Sequence, residues 1–181
     1  MQRNEDSLRV LWDNIKCTNI LIRGGPEGER EKGLRKIFEE IIAENFPNMG
    51  KEIVNQVQEA HRVPERINPR RNTWRHIAIK LTKIKGRDKI LKTTREKQQI
   101  TYTGPPLRLS ADFSIETLQA RRAWHDIFKV MKGKNQQTRI FYPARLSFRF
   151  DGEIKSFPDK QKLREFSTTK PALQQMPKEL L

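Results

Sequence analysis

The sequence has a single cysteine, Cys17, among 181 residues, so no internal disulfide can form and no multi-cysteine metal site can be built. It also lacks any run near the roughly 20 consecutive apolar residues that a bilayer crossing takes. The opening MQRNEDSLRV has no apolar core of the kind a secretion signal carries. A soluble, intracellular chain is the expectation. Catalytic patterns are missing as well. The stretch from Gly24 to Gly33 holds several glycines, but not at the spacing of a phosphate-binding P-loop, and it places acids where a phosphate would sit. It reads instead as a turn feeding a helix. His61, His76 and His125 stand alone, at no zinc-motif spacing. Glu39, Glu40 and Glu44 fall on the polar side of a helical stripe with no nucleophile to serve. No enzyme activity, cofactor or metal is therefore expected.

Acidic charge is the other scarcity. With 37 Lys+Arg against 22 Asp+Glu the net charge is +15, and the pI is about 10.2. A field of that sign attracts polyanions, nucleic acid first and an anionic membrane surface second. The excess is regional. Residues 1–60 carry 9 basic and 11 acidic groups, net −2; residues 61–97 carry 13 and 3, net +10; residues 98–181 carry 15 and 8, net +7. A merely solvated surface would not demand that concentration.

Periodicity supplies the elements. Leu8, Leu11 or Trp12, and Ile15 fall at spacings of three and four, about one heptad of a helix seam and too short for an independent coiled coil. Asn19–Arg23 is a short apolar run closed by Gly24-Gly25-Pro26, the profile of a strand. Leu34, Ile37, Phe38, Ile41 and Ile42 make the best helical stripe in the chain, ended near Asn45 because Pro47 follows. Residues 54–63 read as a second strand, Arg62–Asn72 as a long basic loop with two prolines, and His76–Thr82 as a third strand with Ile77, Ile79 and Leu81 on one face. A second helix is expected from 84 to about 97 with Ile84, Ile90 and Leu91 inward, then a fourth strand over Ile100–Thr103. The order βαββαβ predicts an α+β, ferredoxin-like fold with the layout of an RNA-recognition motif.

Gly104-Pro105-Pro106 is the expected boundary, giving a helix over 1–17, a first domain over 18–104 and a second over 105–181. Beyond the boundary, Ser114 is a fitting N-cap for one helix running to Gly133 or Asn135 and carrying Ala120, Ala123, Trp124, Ile127, Phe128 and Met131. Ile140–Phe141, Leu146–Phe150 and Ile154–Phe157, with Asp151-Gly152 as a hairpin turn, read as an antiparallel meander. Asp159 caps a short helix with Leu163 and Phe166. Pro171 suits the first position of a last one.

Basic side chains are the candidate binding residues. Arg62, Arg66, Arg70 and Arg71 fall on or beside the loop, where four phosphate contacts would give a log K versus log salt slope of roughly −3 on single strands. Burying Ile77 and Ile79 turns His76, Ala78 and Lys80 to the open sheet face, where RNA-recognition motifs usually carry stacking aromatics. Arg95 and Lys97 end the second helix and could equally serve its dipole. In the second domain Arg121 and Arg122 flank the apolar stripe, and Tyr142 and Arg145 stand at a strand entry, suited to stacking on a base and holding a phosphate. Tyr142 could as well pack in its hairpin, and Trp124 fits the core.

The stretches Asn19–Glu29, Phe38–Pro47 (FEEIIAENFP), Arg62-Val63-Pro64, Arg75-His76, Arg95-Glu96-Lys97, Leu107–Trp124 (LRLSADFSIETLQARRAW), Tyr142–Ser147 (YPARLS) and Gly152–Leu173 resemble the first open-reading-frame protein of mammalian LINE non-LTR retrotransposons. The resemblance covers nearly the whole chain. It implies a coiled coil, an RNA-recognition motif with unusual sheet residues and a small C-terminal domain. It also implies single-stranded RNA and DNA binding, nucleic-acid chaperone activity and a place in ribonucleoprotein particles of the cytoplasm, with the nucleus as a second location. Carried over by position, the binding residues would be Arg62, Arg66, Arg70, Arg71, Lys80, Arg95, Arg121, Arg122, Tyr142 and Arg145. Only the end of the coiled coil is present, in Ser7–Lys16, so the chain reads as a truncated, diverged copy and is expected to be a monomer unless a longer coil is supplied. Where the family's first strand has an arginine, this chain has Leu21, placed by alternation on the open sheet face with Arg23. A relic, or a protein-interaction module without nucleic-acid binding, is the competing reading.

Overall fold

The computed structural model describes residues 2–27, 33–70, 73–133 and 137–170. It divides into two compact units, Met1–Phe113 and Ser114–Leu181.

The first unit opens with helix α1 (Gln2–Lys16), followed by β1 (Asn19–Arg23). Helix α2 (Gly33–Asn45) buries Ile37, Phe38, Ile41 and Ile42 completely, the stripe that periodicity marks. Each such side chain contributes on the order of 1.5–3 kcal/mol by leaving water. A five-residue helix, α3 (Gly50–Val54), follows; it is too short to show a period, and so β2 (Val57–Val63) begins three residues later than the expected Val54. Next come β3 (His76–Leu81), α4 (Ile84–Glu96), β4 (Ile100–Thr101) and β5 (Pro106–Ala111). In α4, Ile90 and Leu91 are buried as expected, but Ile84 in the first turn is 45% exposed.

These strands form one sheet in the order β2-β3-β1-β5-β4, each neighbour antiparallel. Ile20, Ile22, Ile77, Ile79 and Leu109 meet the α2 stripe and Ile90 in one core. The expected fourth strand, Ile100–Thr103, is a two-residue edge only. The place beside β1 belongs to Pro106–Ala111, which pairs with β1 from Ile20↔Ala111 to Arg23↔Arg108. Gly104-Pro105-Pro106 therefore reverses the chain inside the sheet, and the unit continues to Phe113 instead of ending at Gly104. Pro106 suits that position because the first residue of a strand can lack an N–H. Leu107 and Leu109 then alternate inward.

The short edge is held from α2. The Asn45 amide donates to the Ile41 and Thr101 carbonyls at 2.9 and 2.7 Å, and its Oδ1 accepts from Thr101 N–H at 3.1 Å. Glu44 accepts from Thr101 Oγ1 at 2.7 Å and Thr103 N–H at 3.1 Å, while Glu40 accepts from the Tyr102 hydroxyl at 2.7 Å. Two of the three glutamates on the polar side of α2 are thus fasteners for the β4–β5 hairpin.

The second unit contains α5 (Ile115–Arg122), α6 (His125–Gly133), β6 (Arg139–Phe141), β7 (Arg145–Phe150), β8 (Glu153–Phe157) and α7 (Lys160–Thr168). The single long helix expected here breaks at Ala123-Trp124. Ala123 is exposed, whereas Trp124 is buried and its indole N–H donates to the Ala144 carbonyl at 2.7 Å. The break lets Trp124, Ile127 and Met131 face the meander β6-β7-β8 together. Asp151 and Gly152 both have positive φ, 49° and 82°, as a two-residue hairpin turn of the I′ kind requires. Phe148, Phe150, Phe157, Phe166 and Leu163 complete this core, with Phe150 and Phe166 edge to face at 5.7 Å. Ser114 Oγ accepts from Thr117 N–H and Asp159 Oδ1 from Lys162 N–H, the two expected caps. The helix expected from Pro171 lies outside the described residues.

Candidate nucleic-acid interface

In the first unit, burying Ile20, Ile22, Ile77 and Ile79 on the helix side leaves a grid of cross-strand neighbours on the opposite face of the sheet. One row runs Val63, His76, Arg23, Arg108; the next runs His61, Ala78, Leu21, Ser110. The third holds Glu59, Lys80 and Asn19. No Phe, Tyr or Trp stands in it. His76, Ala78 and Lys80 thus face where alternation put them, and Lys80 is half-buried.

The grid is polarised along the strands. At the Asn19 end, Asp112 accepts from Asn19 Nδ2 at 3.1 Å and pairs with Lys16 of α1 at 3.4 Å, so charge there is already neutralised. The other end is basic. Arg23 and Arg108 are opposed across β1 and β5; Arg108 is exposed, and Arg23 Nε is buried without a hydrogen-bond partner among the described residues. Thr94 and Lys97, at the end of α4, line a depression of about 460 Å³ with Pro106, Leu107 and Arg108. Arg95, exposed in the last turn of α4, and the β2–β3 loop belong to the same end of the sheet. Gly24 serves the turn here: its φ is +89°, and a Cβ would stand 3.2 Å from the Pro106 carbonyl oxygen.

The loop residues divide. Arg62, expected to act with the basic loop, lies in β2 on the core side, opposite Ile77. Its guanidinium donates to the Pro26 carbonyl at 2.5 Å and the Arg75 carbonyl at 3.4 Å. Burial lowers its pKa from the usual arginine value, with Glu27 opposing and Arg75 adding to the effect. Arg62 is therefore a structural tie and not a free phosphate contact. Arg66 and Arg70 are exposed, and Asn68 Oδ1 takes the Arg70 N–H at 3.0 Å, shaping the loop. Arg71 lies outside the described residues. Trp74, 57% exposed next to Arg75, supplies the aromatic that the sheet face lacks. An aromatic beside a run of arginines is legible in sequence, although the charge pattern alone does not single it out.

Leu21 also departs from expectation. It points away from the core, as alternation requires, yet it is only 8% exposed, set between fully buried Ala78 and half-buried Ser110. It is packed, and not a vacant surface position.

In the second unit, Arg121 donates to the Ile140, Phe141 and Pro143 carbonyls at 3.0, 3.3 and 3.2 Å. It clamps the β6–β7 turn and presents that turn's Tyr142, which is half exposed. Arg122 and Arg145 are exposed. Trp124 is core. Arg139 and Arg149, exposed on the same sheet face as Arg145, escaped sequence reading because the register that groups them is set by pairing across β7. No group of metal-ligating side chains occurs among the described residues, and no helix among them is long and apolar enough to cross a membrane.

Two family descriptions match this chain: an L1 transposable element RBD-like domain over residues 17–112 and an L1 transposable element dsRBD-like domain over residues 115–179. The two units thus correspond to the two domains of an L1 transposable-element protein. The chain belongs to the LINE-1 ORF1 family. It is 45% identical over 172 residues to the LINE-1 retrotransposable element ORF1 protein of Mus musculus, a match that covers 94% of this chain and 48% of that protein. It is 38% identical over 162 residues to the LINE-1 type transposase domain-containing protein 1 of Homo sapiens, covering 89% of this chain and 19% of the relative. The chain therefore spans about half or less of the curated relatives it matches. A solved structure, the C-terminal domain of ORF1p from mouse LINE-1, is 46% identical across 36% of this chain and all of its own, with a TM-score of 0.32.

Proposed function

We propose that the chain binds single-stranded RNA, and single-stranded DNA through the same contacts, without catalysing a reaction. In this reading it is a ribonucleoprotein component and nucleic-acid chaperone acting on a retroelement transcript, in the cytoplasm and secondarily the nucleus. The observation that carries the proposal is the one-ended basic edge of the first sheet, with Arg23, Arg108, Arg66, Arg70 and Arg95 at the end away from Asp112. An antiparallel sheet in the order β2-β3-β1-β5-β4 with α2 and α4 packed on one face supports this reading, because RNA-recognition motifs are built as a sheet backed by two helices. Phosphates would sit on the basic edge and a base on Trp74, a sequence-tolerant mode in which affinity follows charge and stacking. The second domain adds Arg122, Tyr142 and Arg145.

Fluorescence anisotropy of a labelled single-stranded RNA across a salt series tests it. A log–log slope of roughly −3 or steeper is expected, with weaker binding to the duplex of the same sequence. Micromolar protein giving no salt-sensitive binding would reject the proposal. It would favour the second reading, an RNA-recognition-like unit used for protein contact, which the lack of Phe, Tyr or Trp on that sheet face supports.

A further inference from the structure

The second unit has a surface that the residues Arg121, Arg122 and Tyr142 do not use. On the side of the meander away from its core, Phe141 opposes Arg145, Arg139 opposes Ser147, and Arg149 opposes Ile154. Phe141 is 50% and Ile154 68% exposed, whereas Ser147 between them is 3% exposed. The small serine leaves a depression of about 150 Å³, walled by Phe141 and Ile154 and rimmed by Arg139 and Arg149. All three arginines on this face are exposed, and none has a hydrogen-bond or ion-pair partner among the described residues. No described strand residue on the face is acidic. Glu153, on the opposite side by register, is bonded to Lys155 Nζ at 2.5 Å.

Exposed apolar side chains are unfavourable in water, and three unpaired guanidiniums on one small face repel each other. A ligand that removes both costs must have a flat apolar body and negative charges spaced around it. A nucleotide strand with an unpaired base has both; a duplex does not, because its base faces are already stacked. We propose that the outer face of β6-β7-β8 is a further single-strand subsite. One base lodges over Ser147 between Phe141 and Ile154, and neighbouring phosphates lie on Arg139, Arg145 and Arg149. This rests on the single-strand-binding function proposed above and adds a contact set to it.

The test uses the full chain and a fluorescein-labelled single-stranded RNA of about 20 nucleotides in a salt series. Arg139→Gln with Arg149→Gln should shallow the log–log slope by about 1.4, as loss of two phosphate contacts requires, and weaken binding several-fold. Phe141→Ala should weaken binding by roughly 5-fold or more at every salt concentration and leave the slope unchanged, as loss of one stacked base requires. That separation of slope from affinity is one a merely structural role would not produce. The arginine pair, being exposed, carries the test even where Phe141→Ala melts early. If both variants bind as the wild type does while Arg66→Ala with Arg70→Ala weakens binding, this subsite is rejected and the proposed function stands. If the variants bind RNA normally but lower the mass seen by light scattering, the face is a protein contact and the subsite is likewise rejected. No salt-sensitive binding by the wild type would overturn both.

Discussion

Arg75 holds Glu27 at two points: its backbone N–H donates to Oε2 at 2.9 Å and its Nε to Oε1 at 2.5 Å. The same guanidinium donates from Nη1 to the Glu65 carbonyl at 2.6 Å. One side chain thus ties the turn after β1 to both ends of the basic loop. The loop can present Arg66, Arg70 and Trp74 from a fixed base, at a smaller ordering cost on binding.

Glu27 should make that base pH-dependent. Burial pushes its carboxyl up, but the Arg75 hydrogen bonds and the charges of Arg62 and Arg75 outweigh it and hold the pKa below the usual 4.5. A lowered carboxylate pKa stabilises the fold above the unfolded value and loses that contribution as pH falls through the folded value. The tie should therefore be intact at neutral pH and release below about pH 4.5, visible as a shift of the Arg75 amide resonance in that window. Glu27→Gln should cost about 1 kcal/mol at pH 7, since the pair is partly exposed, and speed tryptic cutting at Arg66 and Arg70.

The loop arginines should supply affinity without sequence preference. Arg66→Ala with Arg70→Ala is expected to weaken binding to unrelated single strands alike and to shallow the salt slope by roughly 1 to 1.5, read by anisotropy. An unchanged slope would show a loop that is only solvated.

Arg121→Ala should act on stability before binding. Its charge satisfies three carbonyls of the β6–β7 segment, and losing hydrogen bonds to a charged group costs on the order of 1.5–3 kcal/mol. Urea denaturation followed by near-UV circular dichroism should show the second unit unfolding earlier. Equal midpoints for variant and wild type would return Arg121 to the list of free binding charges.

Leu21→Arg should destabilise the first unit by roughly 1–3 kcal/mol, because it puts a guanidinium into a packed site. Chemical denaturation measures it. A cost below about 0.5 kcal/mol, together with a steeper salt slope, would mean that the arginine reaches solvent across Ala78 and gains a phosphate.

Self-association should be weak. Leu8, Leu11, Trp12 and Ile15 of α1 are all exposed, but about one heptad of seam does not offset the entropy lost on association. Light scattering at micromolar concentration should give a mass near 21.4 kDa; a stable trimer would contradict this.

Sequence alone carried far where a local period or a cap decides the outcome. The α2 stripe, the alternation of β3, the caps Ser114 and Asp159 and the Asp151-Gly152 turn are local, each fixed by a few neighbouring residues, and all are present. The charge excess over 61–97 is likewise a property of composition, and it marks the basic loop. What needed the tertiary structure is pairing between distant segments. Whether Ile100–Thr103 or Pro106–Ala111 lies beside β1 depends on contacts with Ile20–Arg23, some eighty residues away in the chain, and on the Asn45 and Glu44 bonds that reduce the former to an edge. Arg62 and Arg121 look like free charges in sequence because arginine's type does not say which carbonyls will be within its reach. Arg139, Arg145 and Arg149 become one face only when β7 pairs with both neighbours in this register, since alternation sorts residues within a strand and hydrogen bonding between strands decides which of them stand together.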